Sequence, residues 1–338
     1  MNAGRAIGCA VLLLALGCQG IPEREIPERT IALRWWDTDT EQRRVERIAE
    51  QSPDTQSPRL AGVARVDDFV AYLQQLTGVV EAGDESFESA FPGRLALLDP
   101  RSERVEPVPG VPAGALPRAR SPDGERLMFS QLSGRFRQLF EVELTTGQTR
   151  MLTYGPGVHA DGCFGPEGRY VVAEARIEGE RPVSRLWLIG PGVGGPASLS
   201  EGPADYAPAC APDGSAIAWA SSDRNLDRLW SLSPVPGGQP RDLGPGRSPA
   251  FSPDSRWIVY TARIKGRWSL YRIRPDGSGR RPIGQGTLDE LDPSFSPDGK
   301  LVVYVGDDGF RKQLYLRRFD GSGDRLLLGS GGGTDPVW

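Results

Sequence analysis

Three aspartates occupy one repeated position. Asp161, Asp292 and Asp335 each lie five residues before the proline of a recurring turn, or before the place where the next such proline would fall. Asp205 lies near the same level, displaced by two residues, and His159, the single histidine, precedes Asp161 by two. If the strands carrying them surround an axis, these carboxylates converge and repel unless something neutralises them. A hard cation such as Ca²⁺ is one partner such a ring would hold, and a basic group of another protein is a second. The competing expectation is that each Asp caps its own turn or pairs with a nearby Arg. A lone His excludes multi-His metal sites and catalytic His pairs. A Ser-His-Asp triad would have to use His159, and no G-x-S-x-G elbow accompanies it. Asp161, Asp205, Asp292, Asp335 and His159 are therefore axial ligand-binding candidates, with no catalytic residue assigned and the metal left open.

The elements that must position them are repeats. Ser121-Pro122-Asp123-Gly124, Gly165-Pro166-Glu167-Gly168, Ala211-Pro212-Asp213-Gly214, Ser252-Pro253-Asp254-Ser255 and Ser296-Pro297-Asp298-Gly299 are five versions of one phrase, with prolines 44, 46, 41 and 44 residues apart. Pro presets φ, Asp bonds nearby backbone N–H groups and Gly accepts positive φ, so the phrase reads as a tight turn. A short β-branched or aromatic run follows each turn, as in Trp257-Ile258-Val259-Tyr260. A third strand follows, marked by Leu and an apolar or aromatic neighbour, then a Gly turn and a fourth strand. Four strands per period of about 40–45 residues is a propeller blade.

The third-strand mark occurs a sixth time at Leu95, in phase with Leu139, and Asp335-Pro336-Val337-Trp338 copies Asp292-Pro293-Ser294-Phe295. The expected fold is all-β, a six-bladed propeller over residues 91–338, closed by a blade shared between the chain ends. The C-terminal residues supply its inner strand and residues near 79–108 its outer ones; its second strand is unplaced.

The chain has 38% hydrophobic and 25% charged residues and a net charge of −4, an ordinary balance with no overall basic excess, which argues against nucleic acid. Four Cys occur. Cys163 and Cys210 lie in neighbouring inner strands. An oxidising compartment would permit a disulfide between them, but packed sheets lie about 10 Å apart, beyond the usual Cα reach of about 7 Å. The alternative is two small core residues.

These repeats resemble the TolB-like, PD40 (WD40-like) propeller repeats of bacterial envelope proteins, over about residues 92–338. Glu167, Ala173 and Ser255 depart from the pattern. Residues 1–17 read as a secretory signal: one Arg, a dozen apolar residues and a small-residue cleavage site. Ala15-Leu16-Gly17-Cys18 resembles a bacterial lipobox, which implies lipidation at Cys18 and a stable anchor. Gln19 after the Cys implies the periplasmic side of the outer membrane. Residues 18–30, with Ile21-Pro22-Glu23-Arg24 repeated as Ile26-Pro27-Glu28-Arg29, read as a semi-extended tether. Residues 31–90 read as a small mixed α/β extension: a strand near Ile31, a helix opened by Thr38, a second between Asp67 and Gly78, then acidic residues Glu81 to Glu88.

The resemblance implies a lipid-anchored, non-enzymatic binding module whose partner is an envelope protein or peptidoglycan-associated material. A monomeric propeller without cofactor is expected, with Ca²⁺ the one candidate. Two alternatives stand beside it. One is a Ca²⁺-dependent lactonase or esterase of the kind some propellers form, against which the single mature Asn, Asn225, argues. The other is a structural spacer in an envelope complex.

Overall fold

The computed structural model describes residues 20–36, 94–178, 181–202, 204–223, 226–234, 238–264, 266–309, 311–327 and 332–338. The signal segment, Cys18, the two helices expected between residues 38 and 78, the acidic residues 81–88 and Asn225 lie outside them.

The described residues form six four-stranded antiparallel sheets. Blade 1 runs Leu116–Arg120, Arg126–Ser133, Phe136–Glu143 and Thr149–Met151. Blades 2 to 5 begin with inner strands Val158–Phe164, Asp205–Cys210, Arg247–Phe251 and Asp289–Phe295. Each inner strand packs on the next around a closed ring. Blade 6 is the shared one: Gly332–Val337 is its inner strand, Ile31–Trp36 its second, Arg94–Leu98 its third and Val105–Pro107 its fourth.

The turn phrase builds the corner its residues predict. Ser252 Oγ donates to Asp254 Oδ1 at 2.5 Å and accepts from Trp257 N at 2.9 Å. The turn after Ser296 repeats this, and Gly299 takes φ +70° there. Ser255, in place of Gly, is held at φ +59°, and its Oγ accepts from Asp213 N of the preceding turn at 3.1 Å. That bond between neighbouring turns offsets part of the cost of a left-handed serine.

The core lies between blades. Six apolar clusters each fill one interface, as where Met128, Leu139, Phe164, Tyr170 and Val172 join blades 1 and 2. This explains strands buried on both faces, such as Leu301–Asp307.

Two boundaries are corrected. Ile31–Trp36 belongs to the ring and not to a separate extension. Ile31 and Leu33 face the cluster shared with blade 5, while Ala32 faces the one shared with blade 1. Residues 20–30 are no free tether either. Ile21 and Ile26, the first residues of the two copies, are 3% and 1% exposed in the blade 5–6 core. Each such burial contributes about 1.5–3 kcal/mol. Glu25 pairs with Arg318 at 2.9 Å, and Arg101 binds Ile26 O at 2.7 Å and Glu28 at 2.9 Å. The segment is a strap that ends at the axial mouth.

Candidate functional site

Every inner strand is irregular near the axis. The ladder shifts register between Pro117 and Ala119, His159 and Asp161, Tyr206 and Ala209, Arg247 and Ala250, and Leu291 and Ser294. In four of the six the cause is visible in the sequence: proline cannot donate to a ladder, so Pro208, Pro249, Pro293 and Pro336, the last opposite the shift between Ala32 and Arg34, each enforce a bulge. The residue before each proline has positive φ: Ala207 +48°, Ser248 +50°, Asp292 +47° and Asp335 +53°. Non-glycine residues held there store strain of about 1–3 kcal/mol each. Four such steps surround one axis.

Arg118, Asp161, Ala207, Ser248, Asp292 and Asp335 follow one another around this level. Arg118 has a side chain only 5% exposed, and its Nη1 stands 3.3 Å from Asp161 Oδ1 and 3.5 Å from Asp335 Oδ1. Its Nε donates to Ser130 Oγ at 3.0 Å. Asp292 accepts from Ser248 Oγ at 2.9 Å. Asp161, Asp292 and Asp335 thus do share the axial level. A fixed guanidinium stands between two of them, where a calcium ion would need open carboxylate oxygens. Among the described residues no group of three His, Cys, Asp or Glu side chains could hold a metal ion. Arg118 and the Ser248 hydroxyl thus take up carboxylate oxygens that the sequence offered to a cation. Arg118 was missed because blade 1 has Pro at the position searched for Asp.

His159 and Asp205 do not join the ring. Both stand seven residues before their turn proline, as does Glu290, and all three are buried between blades. His159 Nδ1 donates to Gln138 Oε1 at 2.9 Å, a tautomer set by Thr153 Oγ also donating to that oxygen and by the Gln138 amide donating to Gly155 O and Gly157 O. Burial pushes the imidazole pKa down to about 4, against a smaller opposing effect of the Gly157 backbone. Asp205 accepts from Gly202 N at 3.0 Å. Glu290 accepts from Leu270 N and Ser269 Oγ at 3.0 Å and from Arg317 at 2.6 Å; Arg317 also binds Asp324 at 2.7 Å. These groups lock blade to blade, and their common phase was the available signal.

Cys163 and Cys210 are joined by a disulfide with Cα atoms 5.7 Å apart. The 10 Å sheet spacing misled here, because inner strands of neighbouring blades converge towards the axis.

Above the ring, on the side of the Pro-Asp-Gly turns, opens a cavity of about 360 Å³. Its walls are the inner-strand prolines, the disulfide, and Phe164, Phe251, Phe295 and Trp338. Arg29 and Arg120 stand at its edge. Arg29 Nη2 donates to Asp123 O at 2.7 Å, while Arg120 donates to Gly124 O at 2.9 Å and to Thr30 O. Neither forms an ion pair among the described residues. Burial, and then repulsion from Arg29, brings the Arg120 pKa down to about 10. Two adjacent guanidiniums over a proline-walled funnel of mixed polar and apolar lining are suited to a carboxylate on an extended segment.

No protein-family model matches the chain. An uncharacterized protein of Agrobacterium fabrum is 25% identical over 167 residues, 47% of this chain and 54% of that one, so the chain spans about half the length of the curated relative it matches. TolB from Acinetobacter baumannii superposes with a TM-score of 0.62 at 20% identity, covering 73% of this chain and 62% of that chain. A putative TolB from Agrobacterium tumefaciens gives 0.58 at 23%, covering 70% and 89%. Hydrazine synthase of Kuenenia stuttgartiensis gives 0.62 at 12%, covering 93% and 47%. With its six interlocked sheets and recurring turn, the chain has the TolB-type six-bladed propeller fold.

Proposed function

We propose that this chain is a non-enzymatic binding module of the bacterial cell envelope, anchored through lipid on Cys18 and working as a monomer. Its axial mouth receives an extended, carboxylate-bearing segment of an envelope protein or of peptidoglycan-associated material. One observation carries the reading. Arg29 and Arg120 stand together at an open, proline-walled funnel of mixed polar and apolar lining, whereas the acidic ring below is engaged by Arg118 and Ser248. An engaged ring leaves no carboxylate pair arranged for acid–base work, and the buried His159 is held neutral at physiological pH.

The test is crosslinking in intact cells, with a photoreactive phenylalanine analogue at Phe251 in the mouth or at Arg263 on the opposite side of the ring. A specific protein adduct is expected from Phe251 alone, and Arg29→Glu, which gives Arg120 an internal partner, should abolish it. Equal capture from both positions, or none from Phe251, would overturn the proposal.

A further inference from the structure

The charge of −4 for the whole chain conceals a strong asymmetry. Residues 247–284, the fourth blade, contain eight Arg and one Lys against two Asp. Around the turn between its third and fourth strands gather Arg272, Arg274, Arg280 and Arg281, joined by Arg241 of blade 3, whose Nη1 donates to Asp276 O at 3.2 Å. None of the five forms an ion pair among the described residues. Elsewhere on the surface ion pairs are common, as in Arg104–Glu106 and Arg176–Glu178. The nearby carboxylates, Asp276 and Asp320, are hydrogen-bonded by Ser278 and Ser322 within their own turns.

Arg272 and Arg281 stand directly opposite each other on adjacent strands. Like charges placed so are destabilising; Asp276, near Arg274 and Arg241, and Asp320, near Arg272, offset only part of that repulsion, two carboxylates against five guanidiniums. The guanidiniums are also held in place. Arg272 and Arg274 stack over Trp257 at 5.0 and 4.8 Å, Arg272 lies 4.9 Å from the Phe319 ring, and Arg280 lies 5.5 Å over Tyr260. Arg272 Nε is buried with no hydrogen-bond partner. Stacked guanidiniums present their N–H edges to planar or tetrahedral anions.

The place where the chain enters the ring selects the anion. The strap's Glu25 binds Arg318. The next residue, Phe319, touches Arg272. Gly20 is two residues from Cys18, and two residues reach at most about 7 Å. A lipid on Cys18 would therefore hold a bilayer near the blade 5–6 edge that Ile21 enters, on the blade 5 side of which Arg318 and Phe319 lead to this patch.

We propose that the arginine rim of blade 4 docks on the phosphate headgroups of an anionic membrane, setting the propeller on its edge with the axial mouth open sideways. The orientation rests on the lipid-anchor reading; the lipid affinity of the rim does not. The test uses the chain begun at Gln19, which keeps every described residue and carries no lipid. Co-sedimentation is measured with phosphatidylcholine vesicles, with and without phosphatidylglycerol. Binding is expected only with phosphatidylglycerol, weakening steeply as salt rises from about 0.05 to about 0.5 M. Arg274→Glu with Arg280→Glu and Arg281→Glu should lower affinity about 100-fold or more. Arg281→Glu alone should lower it about 5- to 10-fold, so the result does not depend on the triple variant. Arg135→Glu, on an exposed turn of blade 1, should leave binding unchanged. Equal binding to neutral vesicles, wild-type affinity in the triple variant, or binding to polygalacturonate or duplex DNA without vesicle binding would each overturn the proposal. Acyl labelling of the full chain in cells tests the anchor separately, and its failure would leave the vesicle result intact.

Discussion

Replacing Trp338 by Ala tests how the two chain ends close the ring. Trp338 is 6% exposed in the blade 5–6 core. Its backbone N donates to Ser294 Oγ at 3.1 Å, and its indole Nε1 donates to Arg29 O at 2.8 Å. One residue therefore joins the last strand, blade 5 and the strap. A buried Trp hides roughly 150–250 Å², which at about 25 cal/mol/Å² is about 4–6 kcal/mol; measured Trp→Ala losses run about 3–5 kcal/mol. A domain of roughly 250 residues unfolds with an entropy of about 0.5 kcal/mol/K. Trp338→Ala should thus lower Tm by about 6–10 °C in a thermal melt. Trp338→Phe keeps most of the burial and loses the indole donor, worth about 1 kcal/mol or about 2 °C. Because the strap loses its bond at Arg29, limited trypsinolysis at Arg24 and Arg29 should accelerate in the Ala variant. A Tm within about 2 °C of wild type, with unchanged cleavage, would refute the closure argument.

Three further outcomes are expected. Cys163→Ala with Cys210→Ala opens a loop of sequence separation 47, worth about 4 kcal/mol; thiol labelling of the denatured wild-type chain should find this pair only after reduction. Arg118→Met leaves Asp161 and Asp335 without their shared cation and should cost about 3–5 kcal/mol; a melt at or above the wild-type temperature would contradict the ring assignment. His159 has a folded pKa of about 4, below its ordinary 6.5. The unfolded chain therefore takes the proton first, and stability should fall as pH drops from about 6.5 to about 4, by up to roughly 3 kcal/mol. Glu174, 4.0 Å from Nε2, faces the ring and would temper this loss. Denaturation midpoints across that range should flatten in His159→Gln, and an unchanged slope there would assign the pH dependence to other groups.

The blade count was legible because its signal is local. Ser, Pro, Asp and Gly form their corner within a few residues, and the phrase repeats at a nearly fixed period. The ring position of Asp161, Asp292 and Asp335 was legible for the same reason. The second strand of the shared blade was not, because residues 37–93 separate Ile31–Trp36 from its partner Arg94–Leu98. Arg118 was hidden because the bulge at Pro117 shifts blade 1 by one residue, so its functional side chain stands out of phase. His159 and Asp205 were misplaced because a difference of two residues keeps the strand face but moves a side chain along the strand, away from the axial level. The Ile-Pro-Glu-Arg duplication looked like a linker, since proline and charge are also what a linker contains; only the core it enters reveals the two Ile as plugs.

Sequence alone thus determined the repeat, the turn chemistry and the number of blades, all of which depend on neighbours in the chain. Tertiary structure decided which ends meet, which cation sits among the aspartates, where the strap lies and which arginines gather on one rim. Those outcomes depend on closing the ring, which brings residues such as Arg29 and Trp338 together across almost the whole chain. No local pattern encodes a contact whose two halves are each ambiguous until the blades are packed around a common axis.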